Sequence, residues 1–202
     1  MKPGFVGSGP ALRLAFALFV GTLAPASAFA HSETVGSGIV AGLLHPVTGP
    51  DHLLAMLAVG ILSVQLGGAN IWRIPAAFVF AVAMGAWAGV HGWKVPGYEA
   101  AIAWSVVVLG LAIACKWAHR ALGLVFCCVV LFGLCHGYAH GAEMPVGASA
   151  VSYAMGFLVT TVFIHVVGIF IGELASGSRW RVMGLRAAGV AMTMAGMWFV
   201  VQ

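Results

Sequence analysis

From about residue 49 onward the chain alternates between long apolar runs and short joints that hold most of its polar residues. The runs cover about 49–67, 73–92, 98–117, 121–140, 149–174 and 183–201. Each approaches the roughly 20 apolar residues that a helix needs to cross a hydrocarbon core. The joints GGANIW, GWKVPG, AEMPVGAS and SGSRWR carry glycine, proline or charge, the residues that end or turn a helix. Trp72, Trp93, Trp117 and Trp180 fall at run ends, where an indole favours the membrane interface. The pattern predicts an all-α fold: a polytopic membrane helix bundle of about six transmembrane helices.

The first thirty residues follow a different grammar. Lys2 and Arg13 precede the apolar stretch Leu14 to Leu23, and APASAFA follows it. A basic segment, a short apolar core and small residues before a cleavage point make a secretory signal peptide. We expect residues 1–30 to be removed and 31–202 to form one six-helix transmembrane domain. Cleavage places His31 at a translocated mature N-terminus, so that the first span runs inward. That orientation puts Arg73, Lys116, Arg120, Arg179, Arg181 and Arg186 on the cytoplasmic side and only Lys94 outside. Six of seven mature basic residues then obey the positive-inside rule. The predicted location is a bacterial inner membrane, with the lipid bilayer as surroundings.

Composition narrows the function classes. Of 202 residues, 62% are hydrophobic and 7% charged, with mean hydropathy +1.05. A soluble domain carries about 25% charged residues, so no water-facing module fits. The net charge of +4 is spread singly and in short loop groups, which argues against a nucleic-acid partner. Cys115, Cys127 and Cys128 lie inside apolar runs and read as small packing residues. Gly85/Gly89, Gly133/Gly137/Gly141 and Gly168/Gly172 are spaced by four, as in closely approaching membrane helices.

Histidine is the unusual residue, with eight copies against five acidic residues. Two groups stand out. His45, Asp51 and His52 flank a Pro46–Pro50 break, and Met56 follows four residues after His52. A broken helix at membrane depth is tolerated where it is buried in protein or lines a cavity. Asp51 is the sole aspartate, and a carboxylate there requires a compensating partner. His136 and His140 stand at i, i+4, with Glu143 three further on and Cys135 just before. That spacing lets two imidazoles share a metal. By alternation of the spans, both groups and His91 reach the same membrane face. Imidazole suits nickel, cobalt, copper and zinc.

The weaker candidates are expected to be structural. His165 should donate to a neighbouring carbonyl, the alternative being a deeper relay point along a path; His119 should be solvated; and Glu173 should pair with a nearby arginine, the alternative being an exit ligand. No lysine follows a glycine in a Walker A pattern, so ATP is not used by that route. No HExxH is present, but a zinc-dependent intramembrane hydrolase with Glu143 or Asp51 as base, or a sensor or donor without transport, would use the same residue types.

HPVTGPDHLLAMLAVG at 45–60 and CHGYAHGAE at 135–143 resemble the two motifs of the HupE/UreJ family of nickel permeases. The resemblance implies six spans after a signal peptide and uptake of nickel, or cobalt, as cargo without a resident cofactor. It implies a transporter rather than an enzyme, supplying hydrogenase or urease. By motif match the metal residues are His45, Asp51, His52, His136, His140 and Glu143; His91, Met56 and Cys135 are added from their position. Cys135 stands where the family usually has phenylalanine, which bears on metal preference.

Overall fold

The structure, a computed structural model, describes residues 35–202. The expected signal peptide and His31 lie outside the described residues. Seven α-helices follow in order: α1 (Val35–Thr48), α2 (Pro50–Leu66), α3 (Asn70–Val90), α4 (Tyr98–Ala114), α5 (Leu122–Ala142), α6 (Ala150–Ser176) and α7 (Arg179–Val200), with a 3-10 turn at Lys116–Arg120 between α4 and α5. No strand occurs among the described residues.

Helices α3, α5, α6 and α7 are each long and apolar enough to span a bilayer. The pair α1 and α2 makes a fifth span if taken as one, bent by 78° at its break. The break follows from local chemistry. Gly49 is extended, with φ −89° and ψ 109°, and Pro50 opens α2, where its missing N–H leaves no bond unmade. The chain before the break is itself a helix, reaching Thr48. Helix α4 corresponds to the third expected span but has only 17 residues. At 1.5 Å per residue it covers about 25 Å, short of a core of about 30 Å. It ends because Cys115 turns extended, at φ −110° and ψ 142°, three residues before the expected limit. The last helix starts earlier than its apolar pattern, at Arg179, and takes in Arg179, Trp180 and Arg181 of the SGSRWR joint.

Glycine decides which helices touch. On α3 and α5, side chains added at Gly85, Gly89, Gly137 and Gly141 would overlap carbonyl oxygens of the opposing helix. Gly42 and Gly156 bring α1 against α6 in the same way, and Gly60 and Gly168 bring α2 against α6. Thr160 Oγ1 on α6 donates to the Leu43 carbonyl of α1 at 2.9 Å. Such close backbone approach is how helices associate where lipid is as apolar as their side chains. Large apolar side chains cover the outside, among them Phe80, Val151 and Met194, each about 70% exposed or more. That surface matches acyl chains rather than water.

Of the four cysteines, all free, Cys115 and Cys127 are exposed on the bundle surface and Cys128 is half-buried. The expected arginine partner of Glu173 is not formed among the described residues. Arg181 instead donates from Nη1 to the Leu174 carbonyl at 2.7 Å, closing the turn between α6 and α7.

Candidate metal centre

Three helix segments converge on one end of the bundle. His45 comes from the last turn of α1, Asp51 and His52 from the first turn of α2, and His136 and His140 from the last two turns of α5. The rings of His45 and His140 stand 4.8 Å apart between centroids, those of His52 and His136 4.8 Å, and those of His52 and His140 5.0 Å. His45 and His52 are 6.2 Å apart. The two sequence groups, over eighty residues apart in the chain, therefore form a single cluster.

Each ring is aimed by a specific contact. Asp51 Oδ1 accepts from both the backbone N–H of His52 at 2.8 Å and its Nδ1 at 2.9 Å. The carboxylate thus satisfies a first-turn N–H that has no partner within the helix, and it also fixes the ring. With the Nδ1 proton held by Asp51, Nε2 keeps its lone pair. Gly49 leaves the room: a Cβ there would lie 3.0 Å from His52 Nδ1 and 3.2 Å from Asp51 Oδ1. His136 Nδ1 donates to the Phe132 carbonyl at 2.8 Å, one turn back on α5, so its Nε2 is also the free nitrogen. The His140 ring stacks on Phe157 of α6 at 4.8 Å and 16°. His45 Nε2 is 3.4 Å from Glu143 Oε2.

Burial makes these nitrogens consequential. His136 and His140 are fully buried and His52 nearly so. His52 Nε2, His136 Nε2 and both nitrogens of His140 have no hydrogen-bond partner among the described residues. A buried polar group left unpaired costs about 1–3 kcal/mol. Four such atoms in one small volume are a standing cost that an electron-pair acceptor would relieve. The donors are gathered but not converged. Among the described residues no three His, Cys, Asp or Glu side chains stand as ready ligands around one point.

Above the cluster lies a cavity of about 330 Å³ whose wall includes His45, Asp51, His52, Tyr98, Glu99 and Glu143. Its rim is acidic. Burial pushes the Glu143 carboxyl above the ordinary carboxylate range; Glu99 and Asp51 add to the rise, against an opposing pull from His52. Glu99, in the first turn of α4, is a rim residue that sequence reasoning missed. The available signal was scarcity: it is one of only five acids, and alternation puts it at the same end as Glu143.

Three expected members are not gathered in. His91 caps α3, is exposed, and spends Nδ1 on the Trp87 carbonyl at 2.7 Å with its ring against Trp87. Local capping wins there because the chain turns away after Val90. Cys135 faces α4, in an apolar cluster with Ile102 and Ala139. Met56 is fully buried in the apolar core, one turn beyond His52. His119 is exposed in the 3-10 turn, as expected. His165 does donate to a carbonyl, that of Thr161 at 2.6 Å.

The sequence profile described as HupE / UreJ protein matches residues 18–199. Protein HupE of Rhizobium leguminosarum bv. viciae is 41% identical over 174 residues, which cover 85% of this chain and 89% of the relative. No solved structure matches the chain. A match along nearly the whole sequence, joined to two histidine motifs that meet at one end of an apolar bundle, places this chain in the HupE/UreJ family.

Proposed function

We propose that the chain is an uptake permease, not an enzyme, that passes a divalent transition-metal ion inward across a bacterial inner membrane. Nickel is the cargo, with cobalt as its nearest substitute, and hydrogenase or urease maturation is the destination. The observation that carries this reading is the set of buried ring nitrogens on His52, His136 and His140, without hydrogen-bond partners among the described residues, on rings that contact one another beneath a carboxylate rim.

Glu143, Glu99 and His45 draw the hydrated ion to the mouth. His52, His136 and His140 then replace its water, since a bare divalent ion in lipid is prohibitively costly. Asp51 acts through His52, holding the ring so that Nε2 faces the ion; loss of such an orienting partner weakens metal sites about 10–100-fold. Neutral imidazoles in edge contact need only side-chain rotation to turn their lone pairs on a shared cation. The mature N-terminus and the histidine end face the periplasm, and the basic joints face the cytoplasm.

The test is nickel uptake by proteoliposomes across a pH series. A cation competes with protons for imidazole lone pairs, so apparent affinity should weaken as pH falls. The raised Glu143 carboxyl takes its proton nearer neutrality than an ordinary glutamate does. Its protonated form no longer attracts a cation, so loss of capture should begin at a higher pH than free glutamate would give. Glu143→Gln should remove that limb. Uptake equal to that of protein-free liposomes, or independent of pH, would reject the permease reading.

A further inference from the structure

Buried polar side chains continue below the outer cluster. Among the described residues, His165 is the one buried imidazole outside it, and it is 1% exposed. Its Nδ1 faces the Thr161 carbonyl at 2.6 Å, so Nδ1 carries the proton and Nε2 keeps the lone pair. Among the described residues that Nε2 is buried with no hydrogen-bond partner, and so is Thr161 Oγ1, one turn away on the same helix face. A carbonyl bond alone therefore leaves half of this ring unexplained. The arrangement repeats that of His136, whose Nδ1 is spent on the carbonyl four residues back.

Depth can be read on two helices independently. His165 lies eight residues beyond Phe157, which stacks on His140. On α2, the helix touches the His165 carbonyl at Gly60, eight residues beyond His52. Both separations correspond to about 12 Å along a helix. One aromatic ring bridges part of that interval. Phe78 of α3 is fully buried and stands 5.4 Å from His136 on one side and 5.1 Å from His165 on the other. Further down, a cavity of about 260 Å³ at the opposite end is lined by Gln65, Cys115, His119, Gly172 and Arg186. Gly172 is seven residues past His165, about 10 Å along α6.

We propose that His165, with Thr161, is a second and deeper ligand station for the transported metal, midway between the outer imidazole cluster and the inner cavity, with the Phe78 ring between the two stations. The inference rests on the permease reading above. An ion leaving His136 would otherwise face roughly 20 Å of apolar protein before water. His165 divides that distance into two shorter hops. Binding at one nitrogen and one hydroxyl is weak, which suits a stop that must release as well as receive.

Two measurements on the full-length protein separate this from a structural role: nickel binding by equilibrium dialysis in detergent, and nickel flux in proteoliposomes. His165→Gln keeps a donor for the Thr161 carbonyl but removes the imidazole. It should bind nickel at the outer cluster like wild type while flux falls roughly tenfold or more. His165→Cys keeps a ligand, but a softer one. It should restore flux and raise the ratio of cadmium to nickel transported. Wild-type flux in the Gln variant, or an unaltered cadmium-to-nickel ratio in the Cys variant, would overturn the second station. So would a monodisperse Cys variant as inactive as the Gln variant. If wild type itself moves no nickel, the permease reading fails and takes this inference with it.

Discussion

His136→Leu is expected to abolish nickel uptake while leaving the protein as stable as before, or more so. The two effects have separate causes. Loss of a group that merely orients a metal ligand costs about 10–100-fold in affinity, so loss of a ligand itself should cost roughly 100-fold or more. His136 qualifies as a ligand because its one free nitrogen is fully buried, without a hydrogen-bond partner among the described residues, on a ring 4.8 Å from that of His52. The stability side follows from the same burial. The Nδ1 bond is made to the Phe132 carbonyl, which as a mid-helix group already accepts from the backbone one turn on. Replacing an unsatisfied buried polar ring with an apolar side chain of similar bulk is close to neutral or stabilising. Thermal unfolding in detergent, read beside uptake, checks both. A destabilised variant that still takes up nickel would reverse the assignment.

The second large effect concerns the scaffold. Gly137 sits between His136 and His140 in sequence and lies against α3 at Val82. Even a methyl group there would overlap the Val82 carbonyl oxygen and lie 2.6 Å from its carbon and 2.7 Å from Val82 Cα. The obstacle is backbone, so the helices must separate. Overpacking of this kind costs about 1–3 kcal/mol, partly offset by the gain of about 1 kcal/mol for alanine over glycine in a helix. Gly137→Ala should therefore lose up to about 2 kcal/mol and weaken nickel binding, because separating α5 from α3 displaces both imidazoles. Gly137→Leu should prevent assembly. Gly184 of α7 supplies the control, having nothing within 4 Å of an added Cβ. Gly184→Ala should be neutral or mildly stabilising, and equal melting temperatures for Gly137→Ala and Gly184→Ala would refute the close-approach account.

Much of this arrangement was legible in the residues. Apolar runs gave the helices, and the parity of their alternation brought His45 and His52 to the same end as His136 and His140. Spacing of four placed His136 and His140 on one face, and spaced glycines marked the helix contacts that now hold α5 on α3. What was not legible depended on contacts between helices. The Pro46–Pro50 segment announced a break but not its 78° bend, which turns His45 over the cluster. Asp51 reads as a metal residue from its scarcity, and its two bonds to His52, which aim that ring, depend on a rotamer that spacing does not show. His91 was placed at the correct end, yet alternation cannot see that Trp87 claims it. The aromatic rings of Phe78 and Phe157, which separate and seat the imidazoles, are indistinguishable in sequence from lipid-facing phenylalanines such as Phe80, 70% exposed.

The centre itself can be observed without transport. Nickel K-edge X-ray absorption of the purified full-length protein, loaded with one equivalent of metal, counts imidazole ligands by their outer-ring scattering. We predict several histidines in the wild-type shell and fewer in His136→Leu. A shell of oxygen donors alone, unchanged by that substitution, would contradict the claim that these imidazoles hold the ion.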